Sequence, residues 1–368
     1  MLQRIERLTA LLEKAKVDAV ALVPGPNLFY LTGLSFHLME RPVVAILPRL
    51  GEPVIILPEL EMGKLSIVGA DLRPFPYAED EATRNAAFKA AASSLRNLQP
   101  RLGVEYRRMR LLERHHLEQA FPGVTLEDGD PLLYSSRACK DAEELEAMRK
   151  AVWIAEQAMR SALPQLRPGM TEREFASEIL LQTIRAGSDP ELPFAPIVAF
   201  GPNTALPHAV PTDRKLAHDE LILVDWGATW QGYASDVTRT FMIGRVEERL
   251  REAFEAVRAA NEAGRQAVGP GVPAEEVDRA ARQAIQKAGF GPQFIHRTGH
   301  GLGLEAHEGP YIREGNPELL LPGMIFTVEP GVYLQGQGGI RIEDDVCVSA
   351  HGAEVLTSLP RELQQVES

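Results

Sequence analysis

Short apolar runs closed by proline mark the first third of the chain: DAVALVP (residues 18–24), RPVVAILP (41–48) and EPVIILPE (52–59). Runs of this length, rich in Val and Ile and bounded by turn formers, are the pattern of strands buried on both faces. Ahead of them, MLQRIERLTALLEKAK spaces Ile5, Leu8 and Leu12 at helical intervals among charges, which predicts an amphipathic helix. NLFYLTGLSFHLMERP (27–42) falls between the first two runs and reads as a strand, a glycine turn and surface. Helix and strand patterns keep alternating through VGADLRPFPY, RLGVEY and the helical MRLLERHHLEQA, where His115 and His116 are expected on the solvated face. The alternation predicts a small α/β domain over residues 1–130.

From LLYSSRACK onwards the pattern changes. DAEELEAMRKAVWIAEQAMRSALPQL opens a long helix with Asp141 as N-cap and acidic residues in its first turn, so a second domain is assigned to residues 131–368. This part repeats itself. RPGMTEREFASEILLQTIRAGS (167–188) aligns without gaps to GPGVPAEEVDRAARQAIQKAGF (269–290), with Pro168/Pro270, Gly169/Gly271, Glu174/Glu276, Ala186/Ala288 and Gly187/Gly289 coinciding. Each copy reads as a Pro-Gly turn, a capped helix start, with Thr171 and Glu174 as a capping box in the first, and a glycine stop. The segments after the two helices also correspond. LILVDWG ends a strand on Asp225, with Asp236 eleven residues later; MIFTVEPG ends a strand on Glu329, with Glu343 fourteen residues later. Two halves related by an approximate two-fold axis would each deliver two carboxylates to one central site.

Composition narrows the partners. With 368 residues and 45% hydrophobic content the chain can bury two ordinary cores. A net charge of −12 without a basic run argues against nucleic acid as a partner. No stretch approaches the ~18 apolar residues of a membrane span, and the first helix lacks the continuous apolar core of a signal peptide, so no membrane association and a cytoplasmic location are expected. Cys139 and Cys347 have no metal-type spacing and are expected to be buried thiols.

Four carboxylates converging in a partly buried cleft cannot all stay ionised without a cation, because desolvation and mutual repulsion raise their pKa values. Two divalent ions balance four negative charges. His300 in TGHGLGLEAHEGP, flanked by Gly299 and Gly301, would add an imidazole. A mostly oxygen set with one nitrogen suits Mn, Co, Zn or Fe. Two such ions a few ångströms apart bind a shared water, lower its pKa and polarise a carbonyl, which is the equipment for hydrolysis. His208 in ALPHAVP and His307 in AHEGP border these elements and are candidates for oxyanion binding and proton transfer. Taken singly, each residue has an ordinary reading: Asp225 and Asp236 as turn residues, Glu343-Asp344-Asp345 as a solvated acidic run, GHGLG as a phosphate loop that lacks its βαβ context. The duplicated order is what joins them.

At these residues the chain resembles the pita-bread metallopeptidases, the group holding methionine aminopeptidase, aminopeptidase P and prolidase. ALPHAVP, VDWGATWQGYASDVTRTF, TGHGLGLEAHEGP, FTVEPGVY and GIRIEDD match its motifs in order across residues 140–360. The resemblance implies an α+β fold: a C-terminal pita-bread (creatinase/aminopeptidase-like) domain with pseudo-two-fold halves, preceded by a smaller α/β creatinase-type domain. It implies two divalent metal ions per subunit (Mn, Co or Zn), with Asp225 chelating one, Asp236 and Glu343 bridging both, and His300 and Glu329 holding the second. Glu329 would act as general base in hydrolysis by a metal-bridging hydroxide, and His208 and His307 would stabilise the tetrahedral intermediate. The N-terminal domain is similar to that of the prolidase, aminopeptidase P and creatinase branch. That branch implies bonds preceding proline and a homodimer in which this domain often closes over the partner's active site, with His37 and Arg41 as candidate substrate contacts.

One position departs from the pattern. Four residues after His307, where some prolidases place an arginine near the substrate carboxylate, this chain has Tyr311. A buried carboxylate needs a cationic partner, and Arg341, or Arg41 from a second subunit, is the candidate. The expected function is that of a prolidase acting on Xaa-Pro dipeptides or short peptides. The alternative is an aminopeptidase P-like enzyme for longer peptides. A metal-free creatinase-like C–N hydrolase and a non-catalytic binding protein of the same fold both predict altered metal positions, and none of the five is altered.

Overall fold

The structure, a computed structural model, describes residues 2–69, 71–95 and 101–366. The chain divides into two compact units, residues 1–137 and 138–368.

The first unit is a six-stranded sheet of β1 (Ala19–Leu22), β2 (Val44–Pro48), β3 (Val54–Pro58), β4 (Arg73–Tyr77), β5 (Arg101–Val104) and β6 (Thr125–Asp128), in the order β4-β3-β2-β1-β5-β6. The proline-closed runs are β1 to β3, and every residue in them is buried. Six helices accompany the sheet: α1 (Leu2–Ala15), α2 (Pro26–Thr32), α3 (Met62–Val68), α4 (Glu81–Ser94), α5 (Leu111–Ala120) and α6 (Asp130–Arg137). Ala70, within VGADLRPFPY, lies outside the described residues.

Two expectations fail here for local reasons. NLFYLTGL forms helix α2 where a strand was expected. Pro26 stands in its first turn with its φ already set for a helix, and Gly33 ends it at φ 73° with its N–H on Phe29 O. His116 is buried, stacked on Phe88 at 4.9 Å with Nδ1 3.1 Å from Asn85 Oδ1, while His115 is exposed as expected. The inward face of α5 is Glu113, His116, Leu117 and Ala120, so half of its stripe is polar and hydrophobic periodicity understates it. Of the two cysteines, Cys347 is buried and Cys139 only half-buried. Among the described residues no helix is long and apolar enough to cross a membrane.

The second unit opens with α7 (Ala142–Ala162), where Asp141 accepts the Glu144 N–H at 3.0 Å and Glu144 accepts the Asp141 N–H at 2.9 Å. The repeated segments form α8 (Glu172–Arg185) and, after α9 (Glu248–Ala267), α10 (Ala274–Lys287). Their lead-in turns agree atom for atom. Gly169 and Gly271 take φ 87° and 80°, and their N–H groups bond Leu216 O at 2.8 Å and Leu320 O at 2.7 Å. Glycine is required at both, since that backbone conformation is costly for other residues.

Each helix is followed by a matching set of three strands, to which the second copy adds an edge strand. The first copy has β7 (Ile197–Phe200), β8 (Glu220–Trp226) and, beyond the short pair β9 (Thr229–Trp230) and β10 (Tyr233–Ala234), β11 (Val237–Ile243). The second has β12 (Gly299–Gly301), β13 (Glu308–Ile312), β14 (Ile325–Val328) and, beyond the pair β15 (Gly331–Leu334) and β16 (Gly338–Arg341), β17 (Asp344–Ser349). With β18 (Gly352–Val355) and β19 (Gln364–Gln365) the sheets run β19-β11-β8-β7 and β13-β12-β14-β17-β18. In both copies the middle strand, β8 or β14, is antiparallel to its two partners. Phe175, Phe200, Trp226 and Phe241 pack one core, and Phe254, Ile285, Val332 and Ile340 another.

Candidate metal centre

Each pair of carboxylates brackets a hairpin. Asp225 and Asp236 flank β9–β10, whose turn residues Gln231 and Gly232 take φ 53° and 80°; Glu329 and Glu343 flank β15–β16. A hairpin returns the chain to where it left. The spacings of eleven and fourteen residues therefore bring both members of each pair to the ends of neighbouring strands, β8 with β11 and β14 with β17.

The two copies then meet. Asp225, Asp236 and Glu343 place one donor atom each within 4.8 Å of one another, as do His300, Glu329 and Glu343, and also Asp236, His300 and His307. Glu343 and Asp236 each belong to two of these groups. The His300 Nδ1 lies 3.1 Å from Gly301 O, an acceptor, so Nδ1 carries the proton. That leaves the Nε2 lone pair facing Glu329 Oε1 at 3.4 Å and Asp236 Oδ2 at 3.7 Å. Asp225, Asp236, His300 and Glu343 are all less than 9% exposed.

The residues present fit divalent ions. Asp225 Oδ1 and Glu343 Oε1 are buried without a hydrogen-bond partner among the described residues, an expensive condition for carboxylate oxygens that an ion would relieve. Burial, followed by repulsion from Glu343 and Asp225, holds Asp236 well above the usual carboxylate range, and burial with Glu329 and Asp225 nearby does the same to Glu343. Glu329 is pushed up to about 7, chiefly by burial. His300 is held well below its ordinary value by burial and by His307, which keeps its ring neutral and able to bind a cation.

A buried network holds this cluster. Arg341 donates from Nη2 to Asp225 Oδ2 at 2.6 Å, from Nε to Thr238 Oγ1 at 3.1 Å, and from Nη1 to the Tyr333 hydroxyl at 2.9 Å and Pro207 O at 3.2 Å. Thr238 donates its own hydroxyl proton to Glu343 Oε2 at 2.6 Å. Arg341 is thus engaged within the protein, and the structure does not present it to a substrate. The acidic run 343–345 is buried throughout, each side chain serving a different partner. Glu343 and Asp345 share one face of the strand: Glu343 joins the cluster, and Asp345 Oδ2 accepts the Asp236 N–H at 3.1 Å. Asp344 points the other way. Burial would raise it, but Arg239 and Arg361 draw it far below the usual range.

The remaining candidates divide between the units. In the second, His307 lies against His300 with ring centroids 3.7 Å apart and the planes tilted, and His208 is exposed beside the half-buried Pro207, within electrostatic reach of His307. Tyr311 stands opposite His300 across the β12–β13 pair. In the first, His37 is exposed and Arg41 pairs with Glu79 at 2.8 Å and Glu40 at 2.9 Å. Sequence reading passes over two residues. Tyr333 closes the FTVEPGVY motif and meets Arg341, and Arg297, three positions before His300, approaches His307 with Nη2 3.2 Å from Nδ1. A cation just ahead of the TGHGLG motif is the available signal for Arg297; nothing in the chain order announces its partner.

These pKa directions set a pH dependence for the metal-free protein. An acid raised on folding binds more protons in the folded state between its unfolded and folded pKa values, so stability falls as pH rises through that window. For Glu329 the window runs from 4.5 to about 7. Chelated protein is expected to melt lower at pH 8 than at pH 5, with on the order of 3 kcal/mol from Glu329 alone. The rise in Tm on adding a divalent ion is expected to be larger at pH 8, because the ion replaces the protons. Equal metal-induced rises at both pH values would disprove the coupling.

Comparison with known proteins identifies the family. Residues 146–350 match the model of metallopeptidase family M24, and residues 4–139 match that of the creatinase/prolidase N-terminal domain. The fold superposes on a dipeptidase from Pyrococcus horikoshii OT3 with a TM-score of 0.92 and 38% identity, covering 98% of this chain and 99% of that one. A prolidase from Thermococcus sibiricus gives 0.92 and 35%, with 98% of each chain covered. A Xaa-Pro dipeptidase from Bacillus anthracis gives 0.90 and 29%, with 99% of each covered. Family and fold coincide over nearly the whole chain, pita-bread domain and creatinase-type domain included: the protein belongs to metallopeptidase family M24 and is a peptidase of the divalent-metal class.

Proposed function

We propose that the protein is a dinuclear Xaa-Pro dipeptidase. The observation that carries this reading is the pair of overlapping donor groups, Asp225–Asp236–Glu343 and His300–Glu329–Glu343, within 4.8 Å each. Asp225 would hold one ion, His300 and Glu329 the other, and Asp236 and Glu343 both. His307 also lies near Asp236 and His300, but the Arg297 guanidinium against its ring disfavours a cation there. Manganese or cobalt suits this donor set.

Bound in this way, the ions supply Lewis-acid polarisation of the scissile carbonyl and a water of lowered pKa. The protein's own residues do the rest. Glu329, at the end of its strand beside His300, would take the proton of the attacking water and return it to the departing proline nitrogen. Arg297 can only donate, so His307 Nδ1 accepts and Nε2 carries the hydrogen, a donor for the developing oxyanion. His208 is the second donor. The named activities of the prolidase and Xaa-Pro dipeptidase with this fold support proline at the second position. A cytoplasmic homodimer with His37 and Arg41 as substrate contacts completes the reading.

The test is turnover by chelated and then Mn- or Co-reconstituted protein, on a Xaa-Pro dipeptide beside the matching Xaa-Pro-Yaa tripeptide. Metal-restored cleavage is expected, with the dipeptide preferred by on the order of tenfold or more, the worth of one charge-assisted hydrogen bond. Preference for the tripeptide would replace this reading with an aminopeptidase P-like one, and cleavage of neither would end both.

A further inference from the structure

A dipeptide carries a carboxylate one residue beyond the scissile bond, and a site that encloses it must meet that charge. Arg341 is taken: it is 3% exposed and bonded to Asp225, Thr238, Tyr333 and Pro207. Arg41 is paired with Glu79 and Glu40.

Arg297 is differently placed. It is half-buried, and among the described residues no carboxylate forms an ion pair with it. Of its five N–H donors, one is directed at His307 Nδ1 at 3.2 Å. Its guanidinium lies 4.7 Å from the centre of the Tyr311 ring, and its charge is felt at both His307 and Glu329. His307 stands between it and His300, with 3.7 Å between the two imidazole centres. From His307, the proposed oxyanion donor, the Arg297 guanidinium is 3.2 Å away, within the reach of one residue, ~3.8 Å between successive Cα atoms.

Tyr311 now acquires a meaning. An arginine at 311 would set a second cation against Arg297, whereas tyrosine offers the negative face of its ring, which attracts a cation. The two residues form one device, with the cation on position 297 and its platform on position 311.

We propose that Arg297, seated on Tyr311, is the clamp for the C-terminal carboxylate of the substrate and limits its length to two residues. This deepens, and rests on, the dipeptidase reading. A carboxylate in the fork of a guanidinium gains paired, charge-assisted hydrogen bonds that a carboxamide or a further peptide bond cannot reproduce.

The experiment compares a Xaa-Pro dipeptide with its Xaa-Pro carboxamide, in wild type, Arg297→Met and the double variant Arg297→Met/Tyr311→Arg. The quantity read is the acid-over-amide ratio in kcat/KM, which cancels any effect on the shared chemistry through His307. Wild type is expected to prefer the acid on the order of 10- to 100-fold, mostly in KM; Arg297→Met to bring the ratio near one; and the double variant, which returns the cation to position 311, to restore at least part of it. Calorimetric binding of the same two ligands to chelated protein reads the preference without turnover. A wild type that treats acid and amide alike, or an Arg297→Met ratio equal to wild type, overturns the clamp while leaving a proline-directed peptidase standing. A wild type that neither cleaves nor binds either compound overturns the dipeptidase reading, and the clamp with it.

Discussion

Asp236→Ala is expected to lose metal-dependent hydrolysis while its metal-free form melts no lower than the wild type's. Asp236 belongs to the Asp225–Asp236–Glu343 group and lies 3.7 Å from the His300 Nε2 of the other, so in the proposed arrangement its removal would damage both ion seats at once. The ions' Lewis-acid role is worth several kcal/mol, so the fall in turnover should be on the order of 10³-fold or more. The fold has little to lose. Burial and repulsion from Glu343 and Asp225 make the Asp236 carboxylate a strained group without metal, and the bond from its main-chain N–H to Asp345 survives in alanine. Metal content, turnover and chelated Tm, measured together, decide the matter. Near-native activity with a full metal complement would remove the bridging role.

His307→Ala should reduce kcat on the order of 10²-fold, as loss of an oxyanion donor or proton carrier does, with a smaller change in KM. The histidine is lowered by burial and by Arg297, so it is neutral at pH 7 and in the proposed role would act through its Nε2–H. The loss should therefore persist across the neutral range. An unchanged rate would return His307 to the status of a loop residue.

Much of this arrangement is legible in the chain because local and long-range patterns coincide. The proline-closed runs could only be buried strands, and Asp141 with Glu144 spells a helix start whatever surrounds it. The meeting of the carboxylates is legible because the order helix, strand-end acid, turn, second acid occurs twice, and a hairpin between each pair brings its ends together. NLFYLTGL misleads because a run this short has no reliable period, and the decisive residues, Pro26 and Gly33, lie at its ends. His116 misleads because its burial is set by Phe88 and Asn85 on another helix. Arg341 and Arg297 are the instructive pair. Both are arginines close in sequence to expected metal ligands, and only tertiary contacts separate the one consumed by Asp225 from the one resting on Tyr311.

The two copies of the repeat share the order of their elements and differ in one respect that bears on the metal. In the first copy the strand beside the carboxylate-bearing one is IVAF, wholly apolar, and in the second it is GHG, bearing His300. A symmetric assembly of two first copies would enclose four carboxylates and no imidazole. Such a cage of hard oxygen donors would take calcium or magnesium readily. On the proposed reading, the departure from symmetry on a three-residue strand would incline the cavity towards a borderline transition metal, and so towards ions that acidify water strongly enough to cut an amide.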